Sequence, residues 1–165
     1  MWKVKKSKVH GSGVFATHNI KKNTKIIEYI GEKIIKSEGD KRSEKRIRKY
    51  LHSSSKGSVY IFELNKKYDI DGSPLYNHAR YINHSCEPNC EVEIENNQIW
   101  ISSIKNIKKG EELSYDYGYV FDKDDYRDHE CKCGSKYCIG YIISSDEWHK
   151  FLKHLKKNMS KLNNL

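Results

Sequence analysis

Three cysteines packed into a few residues constrain this chain more than any other feature. They read Cys131-Lys-Cys133-Gly134-Ser-Lys-Tyr-Cys138 in a turn-rich stretch. A short loop with this spacing can wrap three thiolates around one ion, and zinc takes four ligands in a tetrahedron. The fourth must come from elsewhere: Cys86 or Cys90, with His129 as the alternative. Four sulfur ligands leave no open coordination position, so one zinc ion here is structural and ties the C-terminal region to a distant segment. The chain has five cysteines, an odd number, and no apolar run follows its basic N-terminus. A disulfide framework and a secretory signal are therefore not expected. The competing readings of the cluster are reduced bystander thiols or a redox pair.

The 165-residue chain fits a single domain. Hydrophobic residues make up only 36%, but 12% aromatic content argues against disorder. No 18-residue apolar stretch exists, which excludes a transmembrane helix. No Gly period, heptad array or long repeat is present. Short strands dominate the pattern: Val14–Ala16 after a Gly11-Ser-Gly13 turn, Ile26–Ile30, Val59–Leu64 and Tyr68–Ile70. Cys90 to Ile101 reads as a hairpin, with Val92 and Ile94 alternating with glutamates, Asn96-Asn97 at the turn, and Ile99 and Ile101 returning. Lys36 to Lys56 is highly charged, net +5, with Ile47, Tyr50 and Leu51 at helical spacing. It predicts an amphipathic helix over about Gly39–Leu51, then a Ser53–Ser55 loop. Trp148, Phe151, Leu152, Leu155, Met159 and Leu162 predict a C-terminal amphipathic helix packed on the domain. Asn19–Ile26 and Asn106–Leu113 resemble each other as polar turns that enter strands. The absence of alternating strands and long helices disfavours a doubly wound fold.

Two polar segments carry candidate chemistry. One is Arg80-Tyr-Ile-Asn83-His84-Ser85-Cys86-Glu-Pro88-Asn89. The other is Glu112-Leu-Ser-Tyr115-Asp116-Tyr117-Gly-Tyr119. A strand over the second puts its three tyrosines on one face. A hydrolase triad finds no support, since no Gly-x-Ser-x-Gly elbow exists.

Taken in order, these segments resemble the SET-domain protein-lysine methyltransferases with an attached post-SET zinc loop. Gly11-Ser12-Gly13-Val14-Phe15-Ala16 resembles the opening Gly-x-Gly motif, and Tyr29-Ile-Gly31 the Tyr-x-Gly strand end. Tyr60–Phe62, Ile70-Asp71 and Asn77–Arg80 resemble the middle of that domain. Arg80–Asn89 matches the Asn-His-Ser-Cys signature, Glu112–Tyr117 the Glu-Leu-x-Tyr-Asp-Tyr signature, and Cys131–Cys138 the post-SET loop. The resemblance implies a mostly β fold of small sheets with short helices and a threaded pseudoknot. A zinc-bound post-SET loop and a C-terminal helix complete it. Expected boundaries are 1–120 for the SET domain, 121–145 for the post-SET loop and 146–165 for the helix and tail.

The resemblance also implies methyl transfer from S-adenosyl-L-methionine to a lysine amine. It assigns the donor to Gly11, Ser12, Gly13, Val14, Tyr29, Asn83, His84 and Tyr117. It makes Tyr117 the catalytic tyrosine, places Tyr60 and Tyr115 in the lysine channel, and gives Cys86 as the fourth zinc ligand beside Cys131, Cys133 and Cys138. Cys90 is left a free thiol. A tyrosine at position 115 implies mainly monomethyl product, with dimethyl second. The implied partner is a basic protein such as a histone tail. From Lys108 to Glu130 the chain carries net charge −4, and Glu87, Glu91, Glu93 and Glu95 add acid nearby. The overall charge is +9, and the lysine-rich segments suggest weak nucleic-acid contact. No membrane partner is expected. The location expected is intracellular: cytoplasm for a microbial enzyme acting on its own proteins, chromatin for one acting on histones. Other functional classes are a SET-like module that binds basic or methylated tails, and a zinc-stapled nucleic-acid-binding domain.

Overall fold

The computed structural model describes residues 1–51 and 59–162. In chain order the elements are β1 (Trp2–Lys6), β2 (Ser12–Ala16), β3 (Lys25–Glu28), β4 (Glu32–Ile35), α1 (Lys36–Leu51), β5 (Ile61–Glu63), β6 (Tyr68–Asp71), β7 (Asn83–His84), β8 (Cys90–Glu95), β9 (Gln98–Ser103), β10 (Ser114–Tyr115) and α2 (Trp148–Leu162). The strands make four small sheets: β1-β2, β3-β9-β8, β4-β6-β5 and β10-β7. Ladders are antiparallel except β10 with β7, which is parallel.

The hairpin forms as its alternation predicts, Cys90 opposite Ser103 and Glu95 opposite Gln98. Asn96 and Asn97 have φ of 52° and 60°. Positive φ at both turn positions matches the right-handed strand twist, and asparagine tolerates that region. The two similar stretches meet each other. Ile20 and Ile107 exchange backbone hydrogen bonds of 2.8 and 2.9 Å. Asn106 Oδ1 accepts from Lys22 N–H and Asn19 Oδ1 from Lys109 N–H, each at 2.9 Å. Each asparagine thus closes the other stretch's turn.

β1 and β4 are not expected from the sequence, because their lysines and glutamates dilute the apolar signal, and α1 begins at Lys36, three residues before the expected Gly39. The Ser53–Ser55 loop lies outside the described residues. Of the apolar residues expected to seat α1, Ile47 is 49% exposed, and the side chains of Tyr50 and Leu51 lie outside the described residues. Charge holds the helix. Arg42 contacts Glu32, Glu38 and Asp71, Arg46 contacts Asp71 and Ser73, and Lys36 contacts Glu63 and Asp69. Asp71 is 2% exposed, and the two guanidiniums hold its carboxyl well below the usual carboxylate range against the cost of burial.

Two apolar cores form. The larger runs from Val14 through Ile101 and Leu113 to Tyr115. The smaller joins Tyr126, Ile143 and Phe151, with Phe121, Tyr141, Trp148 and Leu155 against it. α2 docks through Trp148, Phe151 and Leu155, while Leu152 and Met159 of its expected apolar face stay 48% and 64% exposed. No helix among the described residues is long and apolar enough to cross a membrane.

Candidate active site and metal centre

The parallel β7–β10 pair sets Ser114 beside Asn83 and Tyr115 beside His84. Asn89 braces it: its Oδ1 accepts from Ser114 N–H at 2.9 Å, and its Nδ2 donates to the Glu112 carbonyl at 2.8 Å. Asn83 then binds across to the N-terminal turn. Its Nδ2 donates to Glu112 Oε1 at 2.7 Å and to the Ser12 carbonyl at 3.1 Å. The other Glu112 oxygen accepts from Ser7 Oγ at 2.9 Å. Gly13 makes this possible, because a Cβ there would sit 2.2 Å from Glu112 Oε1. Gly11 supplies a left-handed turn at φ 47°. A cleft of about 200 Å³ opens between Val9, Asn83, His84, Ser85, Glu112, Ser114 and Cys133.

Beside it stands a row of rings tilted against one another. Centroids lie 5.1 Å apart from Tyr29 to Phe62, 6.2 Å from Phe62 to Tyr115, 5.1 Å from Tyr115 to Tyr117 and 5.9 Å from Tyr117 to Tyr119. β10 ends at Tyr115, yet the alternate tyrosines keep one face. Burial raises the phenols of Tyr29, Tyr115 and Tyr117 above their ordinary value. They remain neutral near pH 7, so they act by shape, ring face and hydroxyl rather than as bases. The Tyr117 hydroxyl donates to the Ile82 carbonyl at 3.0 Å, and that of Tyr29 to the Tyr60 carbonyl at 3.1 Å. Tyr60 itself lies under the Arg80 guanidinium, 3.9 Å from its ring centroid.

His84 joins the cleft to the ring row. Its Nδ1 accepts from Tyr117 N–H at 3.2 Å, which leaves the ring proton on Nε2, 3.6 Å from Cys86 Sγ. Burial lowers the His84 pKa despite Asp116 at 3.8 Å, so the imidazole is held neutral.

The ligand atoms of Cys86, Cys131, Cys133 and Cys138 lie within 4.8 Å of one another. Cys86 Sγ is 3.7 Å from Cys131 Sγ and 3.9 Å from Cys138 Sγ. Zinc–sulfur bonds of about 2.3 Å set tetrahedral sulfurs about 3.8 Å apart, so the donor set fits zinc in both type and spacing. Of the three candidates for the fourth ligand, Cys86 is the one brought in. Cys90 is 1% exposed in the larger core, and burial pushes its thiol up to about 12. His129 packs edge-on against Tyr119 and faces Asp125. Burial also pushes Cys133 up, but the Ser135 hydroxyl 3.4 Å away and backbone amides outweigh it and bring that thiol to about 6.

Every candidate site residue is within the described chain, though not all share one place. Asn83 and His84 line the cleft, whereas Gly11, Ser12 and Gly13 frame it through Asn83 and Glu112. Val14 is fully buried and gives its carbonyl to Leu113 N–H at 2.8 Å. Tyr29 stands beside Phe62 in the ring row and bonds the Tyr60 carbonyl, and it is not among the cleft residues. In the sequence, Glu112, Phe62 and Arg80 stand out only as members of motifs. Their roles depend on partners far away in sequence, and no local pattern carries that.

A family model described as "SET domain" matches residues 11–118. The chain is 38% identical over 137 residues to the Homo sapiens protein "Histone-lysine N-methyltransferase 2D", covering 81% of this chain and 2% of that relative. It is 36% identical over 146 residues to the Caenorhabditis elegans "Histone-lysine N-methyltransferase set-2", covering 86% of this chain and 9% of the relative. It is 37% identical over 140 residues to the Schizosaccharomyces pombe "Histone-lysine N-methyltransferase, H3 lysine-4 specific", covering 82% of this chain and 14% of the relative. The chain thus spans a small part of each relative's length.

Proposed function

The chain belongs to the SET-domain family, and from that premise we propose that it is an S-adenosyl-L-methionine-dependent protein-lysine N-methyltransferase acting on histone tails or other basic proteins. The observation that carries this reading is the junction at His84, where a polar cleft meets a row of buried, neutral tyrosines. The donor, when bound, supplies a methyl group on a sulfonium leaving group, so the chemistry needs no metal. We assign it to the cleft, held by Asn83, His84 and the Gly11–Gly13 turn.

The chain's own residues do the rest. A lysine amine has a reference pKa of about 10.4, so about a thousandth is neutral at pH 7.4. A channel walled by Tyr60, Phe62, Tyr115 and Tyr117 excludes water, which favours the neutral amine. Tyr117 is fixed at its backbone by His84 and at its hydroxyl by Ile82, so it orients the amine at low entropic cost. The Tyr115 hydroxyl fills space a further methyl group needs, which favours monomethyl product, then dimethyl.

We also propose that Cys86, Cys131, Cys133 and Cys138 hold one structural zinc ion. We further propose a division into 1–120, 121–145 and 146–165, in which residues of the last two segments pack together in the smaller core. The acidic β8 edge and the 108–130 stretch offer complementary charge to a basic tail. Lys41 and Lys45, which line an open groove on α1, offer weak contact to nucleic acid. Chromatin is where such a substrate is met.

Mass spectrometry tests the function. The zinc-loaded protein with donor is offered core histones, nucleosomes and a basic-protein extract, beside a Tyr117→Phe control. Lysine mass gains of one or two methyl groups, lost in the control, support the reading. Donor binding without transfer to any of these sinks it in favour of a binding module.

A further inference from the structure

Arg80 is a cation without a carboxylate partner among the described residues. Its guanidinium lies over the Tyr60 ring at 3.9 Å and the Tyr81 ring at 5.4 Å. Its Nη1 donates to the Ser73 carbonyl, and its Nε is buried with no hydrogen-bond partner. Asp71, two residues before Ser73, is already taken by Arg42 and Arg46. The titratable groups of the ring row and the cleft do not pair with it either. Tyr29, Tyr115, Tyr117 and Tyr119 are phenols raised by burial, and His84 is neutral. Glu112 is held by Asn83 and Ser7, and Asp116 faces His84 and the Gly118 and Ser145 amides. An unpaired guanidinium is costly beside an apolar wall, where an aliphatic side chain would pack as well.

We infer that Arg80 is a positioning residue of the methyl transfer: it seats the Tyr60 ring and, across that ring, biases the acceptor lysine towards its neutral, nucleophilic amine. This rests on the reading of Tyr60 and Tyr117 as walls of a lysine channel. A like charge beside an amine disfavours the ammonium form. An amine on the far side of a ring that Arg80 touches lies within the screening length of about 10 Å. The field of Arg80 already acts on the Tyr29 hydroxyl, where it opposes the rise that burial imposes. The proton released by the ammonium passes to solvent.

The test is the pH dependence of kcat at saturating donor and lysine peptide, which reports the groups of the bound complex, measured on the zinc-loaded full chain. Arg80→Gln keeps a planar group over Tyr60 and removes the charge. Arg80→Met removes the charge and keeps the stem. Arg80→Lys keeps the charge and loses the plane. The inference expects the rising limb of the profile to move up by about one pH unit in the Gln and Met variants, with a tenfold loss near neutrality. In Arg80→Lys the rate falls but the limb stays in place. Circular dichroism establishes which variants are folded, and either charge-removing variant suffices. Lower rates with an unmoved limb in the Gln and Met variants overturn the inference and make Arg80 merely structural. Absence of lysine methylation by the parent protein with donor bound overturns the functional reading, and the inference with it.

Discussion

At the scale of single residues, the site depends on side chains that are fixed twice. Tyr117 is held by its amide and by its hydroxyl, and Tyr117→Phe releases the second hold. We expect methyl transfer to fall at least about a hundredfold, as misplacement of the acceptor does, while calorimetry finds donor affinity little changed. Tyr115→Phe removes the hydroxyl that crowds the channel, and we expect the product to shift towards higher methylation states. An unshifted product distribution by mass spectrometry defeats that reading. Gly13→Ala places a methyl group against Glu112 Oε1 and pushes that carboxylate off Asn83. Donor affinity should drop about tenfold, the effect of losing one charge-assisted hydrogen bond, in an isothermal titration. His84 adds a pH dependence. Burial lowers its folded pKa, so the unfolded chain takes up a proton first as pH falls. The stability this neutral ring contributes is present above the unfolded value of about 6.5 and is lost as pH drops through that value towards the folded one. The slope of Tm against pH below neutrality should be smaller in His84→Gln than in the parent.

At the scale of elements, two segments are held by chemistry rather than by apolar packing. The cysteine loop carries its own short hydrogen bonds, from Cys131 N–H to the Gly140 carbonyl and from Ile142 N–H to that of His129. Its thiolates meet the larger core's side of the chain at Cys86. Metal binding releases thiol protons and couples to folding. A chelator should therefore increase hydrogen exchange across residues 126–143 and lower donor affinity, since Cys133 also lines the cleft. Unchanged exchange after chelation sinks the structural-zinc assignment. α1 is held by its arginines on Asp71. Removing one member of a buried charged cluster leaves the others unpaired, at a cost of about 3 kcal/mol, and urea unfolding of Asp71→Asn measures it. Helical spacing gave away α1 and α2 in the sequence, because 3.6-residue periodicity is local. How α1 docks was hidden, since Glu32, Glu63, Asp69 and Asp71 come from strands that flank it on either side.

At the scale of the molecule, the two cores divide the work. The larger positions the ring row and β7–β10, and the smaller carries the cysteine loop and α2. Phe151 is 1% exposed in the smaller core and packs edge-on against Phe121, Tyr126 and Tyr141. Phe151→Ala should cost about 3–5 kcal/mol. We expect limited proteolysis to nick that variant beyond residue 120 while the strands of the larger core stay protected. The sequence by itself determined the mostly β composition, the Asn96–Asn97 hairpin, the two helices, the candidate zinc loop and the motifs with their tyrosines. All of these are written in spacings of a few residues, where turn geometry and side-chain alternation act. Spacing left Cys86, Cys90 and His129 open as partners of the loop, the family resemblance implied Cys86, and the tertiary structure brings Cys86 there. Only the tertiary structure decided that Glu112 pins Asn83 to the first turn, that Asn19 and Asn106 close each other's stretches, and that Arg80 lies unpaired over Tyr60. Those contacts join residues tens of positions apart, and they exist only once folding has brought distant segments into hydrogen-bonding or van der Waals distance.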